Sequence, residues 1–318
     1  MANADLPLAV GPAMSATRGR KGDKAMFIAT LIAADRLDAG QISESLDRLN
    51  AAGCAVIGSG WIDQGRAADV MFGQSPDVAR TALEGAFDRV DIVVQAMMAR
   101  PKSLLIADMD STMITVECID ELADYAGIKP QIAAVTEAAM RGELDFAEAL
   151  DARVALLAGL DEGVIERCLA ERVTIMPGAI ALVRTMRSRG GTAILVSGGF
   201  TRFAEPVGSA IGFNRVVANR LGIAAGMLDG TVAKPIVDSG TKEATLIAAI
   251  NDLAIPPEAT MAVGDGANDL AMIRRAGLGY AYHAKPVVAA AAAVRIDHND
   301  LTALLYAQGI ASSEWVTD

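Results

Sequence analysis

Cysteine, histidine and aromatic side chains are all scarce in this chain. Its 318 residues include three cysteines, two histidines and 4% aromatics. Cys54, Cys118 and Cys168 are odd in number, widely spaced and without a CxxC pair; this excludes a disulfide framework and points to a reducing cytoplasm. With so few aromatics, the 52% of hydrophobic residues must build a core from Ala, Val, Ile, Leu and Met, as in an Ala-rich α/β protein. Positive charge is also in deficit. A net charge of −11 argues against nucleic acid or an anionic membrane as a partner, since both are held by clustered Lys and Arg. Long apolar runs are missing too: "VVAAAAAV" at 287–294 falls far short of the roughly 20 residues that span a bilayer. Residues 1–24 place their basic residues after the apolar part, the reverse of a secretory leader, and read as a flexible N-terminal segment.

What is present falls into two regions. Over 25–98 the hydrophobic period changes in a regular order: "AMFIATLIAA" as strand, "ISESLDRLNAAG" as helix, "CAVIGSGWI" and "RAADVMFG" as strands, "SPDVARTALEGAFDR" as helix, and "VDIVVQAM" as strand. Ser75 is expected to cap the second helix, with Pro76 at its first position. The βαββαβ order is a ferredoxin-like α+β pattern and resembles the ACT domains that bind amino acids beside metabolic enzymes. A dimerisation or packing module would have the same order. From residue 99 to 318 short apolar strands, "LLIA" (104–107), "AILV" (193–196), "MAV" (261–263) and "LGYAY" (278–282), alternate with helical patterns. That alternation implies an open parallel, Rossmann-like α/β sheet, whose ligands bind beyond the carboxyl ends of its strands.

Three of these strands end in polar chemistry. "DMDST" (108–112) follows the first, "SGG" (197–199) the second and "GDGAND" (264–269) the third. An isolated DxD is usually a strand end followed by a turn. Here Asp108, Asp110, Asp265 and Asp269 form four strand-end carboxylates, which together suit one hard cation of Mg²⁺ type. Ser197 and Gly198 could cradle an anion. Lys242, in the first turn of a helix, opposes the helix dipole, which suggests a bound anion nearby unless it is simply solvated. Ser111 and Thr112 have no neighbouring histidine to act as a base.

In this order and spacing the four motifs resemble the phosphoserine phosphatase family of the haloacid dehalogenase superfamily, over roughly residues 100–300. The resemblance implies an aspartyl-phosphate formed on Asp108 as nucleophile, with Asp110 as general acid and then base. It implies one Mg²⁺ on Asp108, the Asp110 backbone carbonyl and Asp265, with Asp269 in support, and phosphoryl oxygens held by Ser197 and Lys242. A small α-helical cap insertion over about 114–175 would select the substrate. By the same resemblance Glu117 and Arg153 would take the ammonium and carboxylate of phosphoserine. Met140 and Phe146 would line the pocket, and Asn268 would complete it. Phosphohomoserine or phosphothreonine is the alternative substrate, and an amino-acid sensor with a vestigial phosphatase region the more distant alternative. Cys118 is expected to be a buried cap residue, and a homodimer is possible.

Overall fold

The computed structural model describes residues 26–141 and 143–318; the expected flexible segment 1–24 lies outside them. The N-terminal part comprises β1 (Phe27–Ala33), α1 (Ala39–Ala51), β2 (Val56–Asp63), β3 (Ala67–Phe72), α2 (Pro76–Leu83) and β4 (Val90–Ala96). The strands form one antiparallel sheet in the order β2-β3-β1-β4. On one face Ala29, Leu31 and Ala33 pack with Leu49 of α1 and Leu83 of α2. On the other face Ile32, Ala67 and Val93 join the core of the second region. A sheet covered on both faces needs apolar residues at nearly every position, which is why β1 and β4 read as continuous rather than alternating runs. The expected helix over 75–89 stops at Leu83, and Gly85 turns the chain with φ +72°. Ser75 precedes it as expected but has φ 60° and makes no side-chain cap bond.

The second region begins with β5 (Leu104–Ala107), followed by α3 (Cys118–Tyr125), α4 (Lys129–Met140), α5 (Phe146–Ala155) and α6 (Gly163–Glu171). This helical insertion leaves and re-enters at a single antiparallel bridge, Ile114 to Ile175. Then come α7 (Ala179–Ser188), β6 (Thr192–Phe200), α8 (Thr201–Ile211), β7 (Arg215–Asn219), the hairpin β8 (Leu221–Ala224) and β9 (Met227–Val232), and α9 (Ser239–Leu253). The chain finishes with β10 (Thr260–Gly264), α10 (Leu270–Arg275), β11 (Leu278–Tyr282), α11 (Pro286–Ala291), β12 (Val294–Ile296) and α12 (Ala303–Ala307).

Six strands form a parallel sheet in the order β12-β11-β10-β5-β6-β7. Alternate residues of β5 point to opposite sides, Leu105 and Ala107 into the cluster with α7 and α8, Leu104 and Ile106 into that with α9 and α10. The sheet is the open α/β core that strand–helix alternation implies. β7, β12 and the β8–β9 hairpin are additions to the expected strands. No helix among the described residues is long and apolar enough to cross a membrane.

The two regions are joined by buried polar contacts as well as apolar ones. Asp91 on β4 accepts N–H bonds from Asp297, His298 and Asn299 and a fourth from the Asn299 side chain, at 2.8–3.2 Å. Asn299 also donates to the Ile32 carbonyl. Arg100 pairs with Asp69 at 2.8 Å and donates to the carbonyls of Tyr306 and Ala307.

Candidate active site

The register of the parallel sheet brings the motifs together. β5 lies between β10 and β6, so the chain segments following all three strands emerge side by side at one edge. They open into a cleft of about 300 Å³ lined on the sheet side by Asp108, Asp110, Gly198, Gly199, Asp265, Asn268 and Lys285. The helical insertion supplies the opposite wall through Glu117, Ile119, Thr136, Phe146, Leu150 and Arg153.

Beneath the cleft floor lies a buried charge cluster. Lys242, fully buried, places Nζ 2.6 Å from Asp108 Oδ1 and 2.6 Å from Asp269 Oδ1. Burial alone would lower the lysine pKa, but the two carboxylates outweigh it and hold the pKa above its ordinary value. The charges that meet it are carboxylates of the chain itself, not the bound anion that its helix position suggests. Asp269 also accepts the Gly266 N–H at 3.0 Å; burial, then Asp108, push its carboxyl up to about 7 against the pull of Lys242. A Cβ on Gly264 would sit 2.3 Å from the Asp269 carboxyl carbon, so only glycine admits Asp269 to this position.

Asp108, Asp265 and Asp269 each offer an oxygen within 4.8 Å of the others. One lysine cannot neutralise three carboxylates, and burial followed by Asp108 pushes the Asp265 carboxyl upward as well. All-oxygen donors with surplus negative charge fit a hard divalent cation. Thr112, buried, donates its hydroxyl to Asp265 Oδ1 at 3.3 Å.

Asp110 has a different environment. Its side chain is outside the three-carboxylate group, and Oδ1 accepts the Cys118 N–H at 3.3 Å. Burial, then the charges of Glu117 and Asp108, push its carboxyl up to about 8. Asp108, two positions earlier, is instead tied to Lys242, so the two aspartates have different surroundings. Gly199 makes this possible on the other side: a Cβ there would meet Asp110 Oδ2 at 2.9 Å.

Glu117 accepts the Ser111 hydroxyl at 2.9 Å and faces the cleft with a pKa raised chiefly by burial. Ser111 achieves this contact from a left-handed backbone, φ +54°. Arg153, on α5, donates to the Ala149 carbonyl and has no carboxylate within ion-pair distance among the described residues. Burial lowers its pKa against the opposing charges of Asp120 and Glu117. Its unpaired donors therefore face a cleft into which a carboxylate fits.

Of the expected residues, Asp108, Asp110, Glu117, Phe146, Arg153, Gly198, Asp265 and Asn268 line the cleft, while Lys242 and Asp269 lie behind its floor. Ser197 is fully buried, its hydroxyl accepting the Gly199 N–H at 2.8 Å. The side chain of Met140 lies outside the described residues. Cys118 is buried, and burial raises its thiol pKa far above the usual range. Sequence reasoning missed the positioning contacts of Ser111 and Thr112, which it considered only as nucleophiles, and it missed Lys285. The loop after β11, the next strand end along the sheet, was the available signal for Lys285.

Comparison with known proteins gives a consistent family. The haloacid dehalogenase-like hydrolase profile matches residues 105–274. The phosphoserine phosphatase SerB2 of Mycobacterium tuberculosis is 44% identical over 231 residues, 72% of this chain and 56% of that protein. The chain thus spans little more than half the length of that relative. The phosphoserine phosphatase of Idiomarina loihiensis is 44% identical over 65% of this chain and 94% of its own length. A probable phosphoserine phosphatase from Vibrio cholerae, in unliganded form, superposes with a TM-score of 0.74 at 32% identity, covering 92% of this chain and 88% of that one.

Proposed function

The chain belongs to the haloacid dehalogenase-like hydrolase family, and from that premise we propose that it hydrolyses O-phospho-L-serine to L-serine and phosphate. One observation carries the reading. Asp108 is tied to a buried lysine at 2.6 Å, while Asp110 beside it is pushed up to about 8, so a nucleophile and a proton donor face the same cleft.

Asp108 attacks phosphorus in line and forms an aspartyl-phosphate as the bond to the serine oxygen breaks. Asp110, protonated because it is buried beside other carboxylates, gives its proton to the leaving oxygen. It then takes a proton from the water that attacks phosphorus and frees Asp108. Lys242 cancels part of the repulsion between a carboxylate and a phosphate dianion. Asp108, Asp265 and the Asp110 backbone carbonyl would hold Mg²⁺, with Asp269 in support. When bound, the ion supplies charge neutralisation at the phosphoryl oxygens. Gly198, which lines the cleft, and the Ser197 hydroxyl, which accepts the Gly199 N–H behind it, would receive those oxygens. On the far wall Glu117 suits the substrate ammonium and Arg153 its carboxylate. Phe146 comes within 3.3 Å of the position a Cβ on Gly198 would take, so the helical wall closely approaches the sheet side of the cleft there. The cytoplasm is part of the same proposal, supported by three buried, unpaired cysteines.

The test compares phosphate release from phosphoserine, phosphothreonine and phosphohomoserine with Mg²⁺, alongside Asp108→Asn. Phosphoserine should be turned over with the highest kcat/KM, and Asp108→Asn should release no phosphate while keeping the wild-type circular dichroism. Equal use of the three substrates would refute the substrate assignment; an active Asp108→Asn would refute the nucleophile.

A further inference from the structure

Four carboxylates line the cleft, those of Asp108, Asp110, Glu117 and Asp265, against two cations, Arg153 and Lys285. Lys242 is below the floor and committed to Asp108 and Asp269. Arg153 stands on the helical wall beside Glu117, at the end suited to an amino acid's charges. Lys285 stands on the opposite wall, beside Asp265, at the end where phosphorus must approach Asp108. Its ammonium has no carboxylate within ion-pair distance among the described residues, yet its charge is felt at Asp265.

The backbone holds Lys285 in this place. Its N–H donates to the Asp265 carbonyl at 3.2 Å, and its own carbonyl accepts from Val288 and Ala289. Two residues earlier, His283 donates its N–H to the Ile296 carbonyl, and its ring contacts the Asn299 carbonyl at 3.0 Å. Asn299 is in turn held by Asp91 of the N-terminal sheet. The loop is therefore tied at its base, while the lysine itself is exposed at the cleft.

We propose that Lys285 binds phosphate at the mouth of the cleft, drawing in the dianion of the incoming monoester and retaining inorganic phosphate after hydrolysis. This rests on reading the cleft as a phosphoryl-transfer site. A mobile ammonium suits such a task because it follows the anion through entry and exit, while the rigid Lys242 serves the nucleophile. A cation beside an acidic cleft also offsets the local field that would repel a dianion.

The test uses the full chain with Mg²⁺ and the variants Lys285→Met and Lys285→Arg, with thermal midpoints confirming the fold. The first measurement is calorimetric titration with inorganic phosphate, which needs no turnover. Lys285→Met should bind phosphate about 5-fold more weakly, the upper end for one solvent-exposed ion pair, and Lys285→Arg within about twofold of wild type. With phosphoserine, kcat/KM of Lys285→Met should fall chiefly through KM, and its decline with added salt should be shallower than in wild type. Unchanged phosphate affinity and salt dependence in Lys285→Met overturn the proposal. Equal losses in both variants overturn it too, because charge would then not be what the residue supplies. A wild-type chain that turns over phosphoserine but fails these comparisons removes this inference alone; one that releases phosphate from no phosphomonoester removes the phosphatase reading with it.

Discussion

Replacing Lys242 with Met tests the charge arrangement under the cleft. The lysine side chain is 1% exposed, with Asp269 at 0% and Asp108 at 7%, so water cannot take its place. Removing the cation leaves carboxylate oxygens no more than 4.8 Å apart, which repel by about 3.5 kcal/mol at an effective dielectric of 20 when both are ionised. Breaking a buried pair from one side independently suggests about 3–5 kcal/mol. The pH dependence separates this cause from simple loss of packing. In wild type Asp269 has a folded value of about 7, and without Lys242 that value must rise further. Above pH 7 the variant then keeps a proton that the wild type releases and the unfolded chain does not bind. Its stability deficit should therefore grow by about 1.4 kcal/mol per pH unit between pH 7 and the new value. Urea denaturation in EDTA at pH 6, 7 and 8 measures this directly. A deficit equal at pH 6 and pH 8 would refute the electrostatic account and leave a cavity as the cause.

Further predictions concern the acid, the interface and the substrate wall. With Asp110 raised to about 8, turnover limited by proton donation should decline as pH rises through that value; Asp110→Asn should lose about 10²- to 10⁴-fold in kcat and lose that alkaline limb. A pH profile of unchanged shape in the variant would count against the assignment. Asp91→Ala removes an acceptor shared by four N–H donors in a site 4% exposed. The expected loss is about 3–5 kcal/mol by urea denaturation, and a loss under 1 kcal/mol would show those donors reach water instead. Arg153→Lys should raise KM for phosphoserine by about tenfold and leave KM for p-nitrophenyl phosphate, which has no carboxylate, nearly unaltered; equal effects on both would remove Arg153 from carboxylate recognition.

The carboxylates that gather at the cleft were legible in the linear chain because they sit at ends of apolar strands. "LLIADMDST" and "MAVGDGAND" declare themselves by contrast: a buried strand has no use for carboxylates, so the sharp change of polarity marks the sheet edge. The strands carrying them were legible for the same reason, and Glu117 and Arg153 through the family pattern. Lys285 was not, since one lysine after "LGYAY" resembles any solvated surface residue until the sheet order places β11 beside β10. Ser111 and Thr112 could be set aside as nucleophiles, but not given their contacts, because side-chain direction decides that one bonds Glu117 and the other Asp265.

By itself the sequence determined the strand and helix periods, the order of the motifs and the presence of too many acidic groups for neutral protein alone to hold. Each of these depends on near neighbours in the chain. Tertiary structure decided which aspartate is tied to Lys242 and which is held near a pKa of about 8. It also decided that Asp91 and Asn299, 208 positions apart, lock the N-terminal sheet to the loop behind the cleft. Desolvation and charge coupling depend on distances across the fold, and those exist only once the sheet order is set.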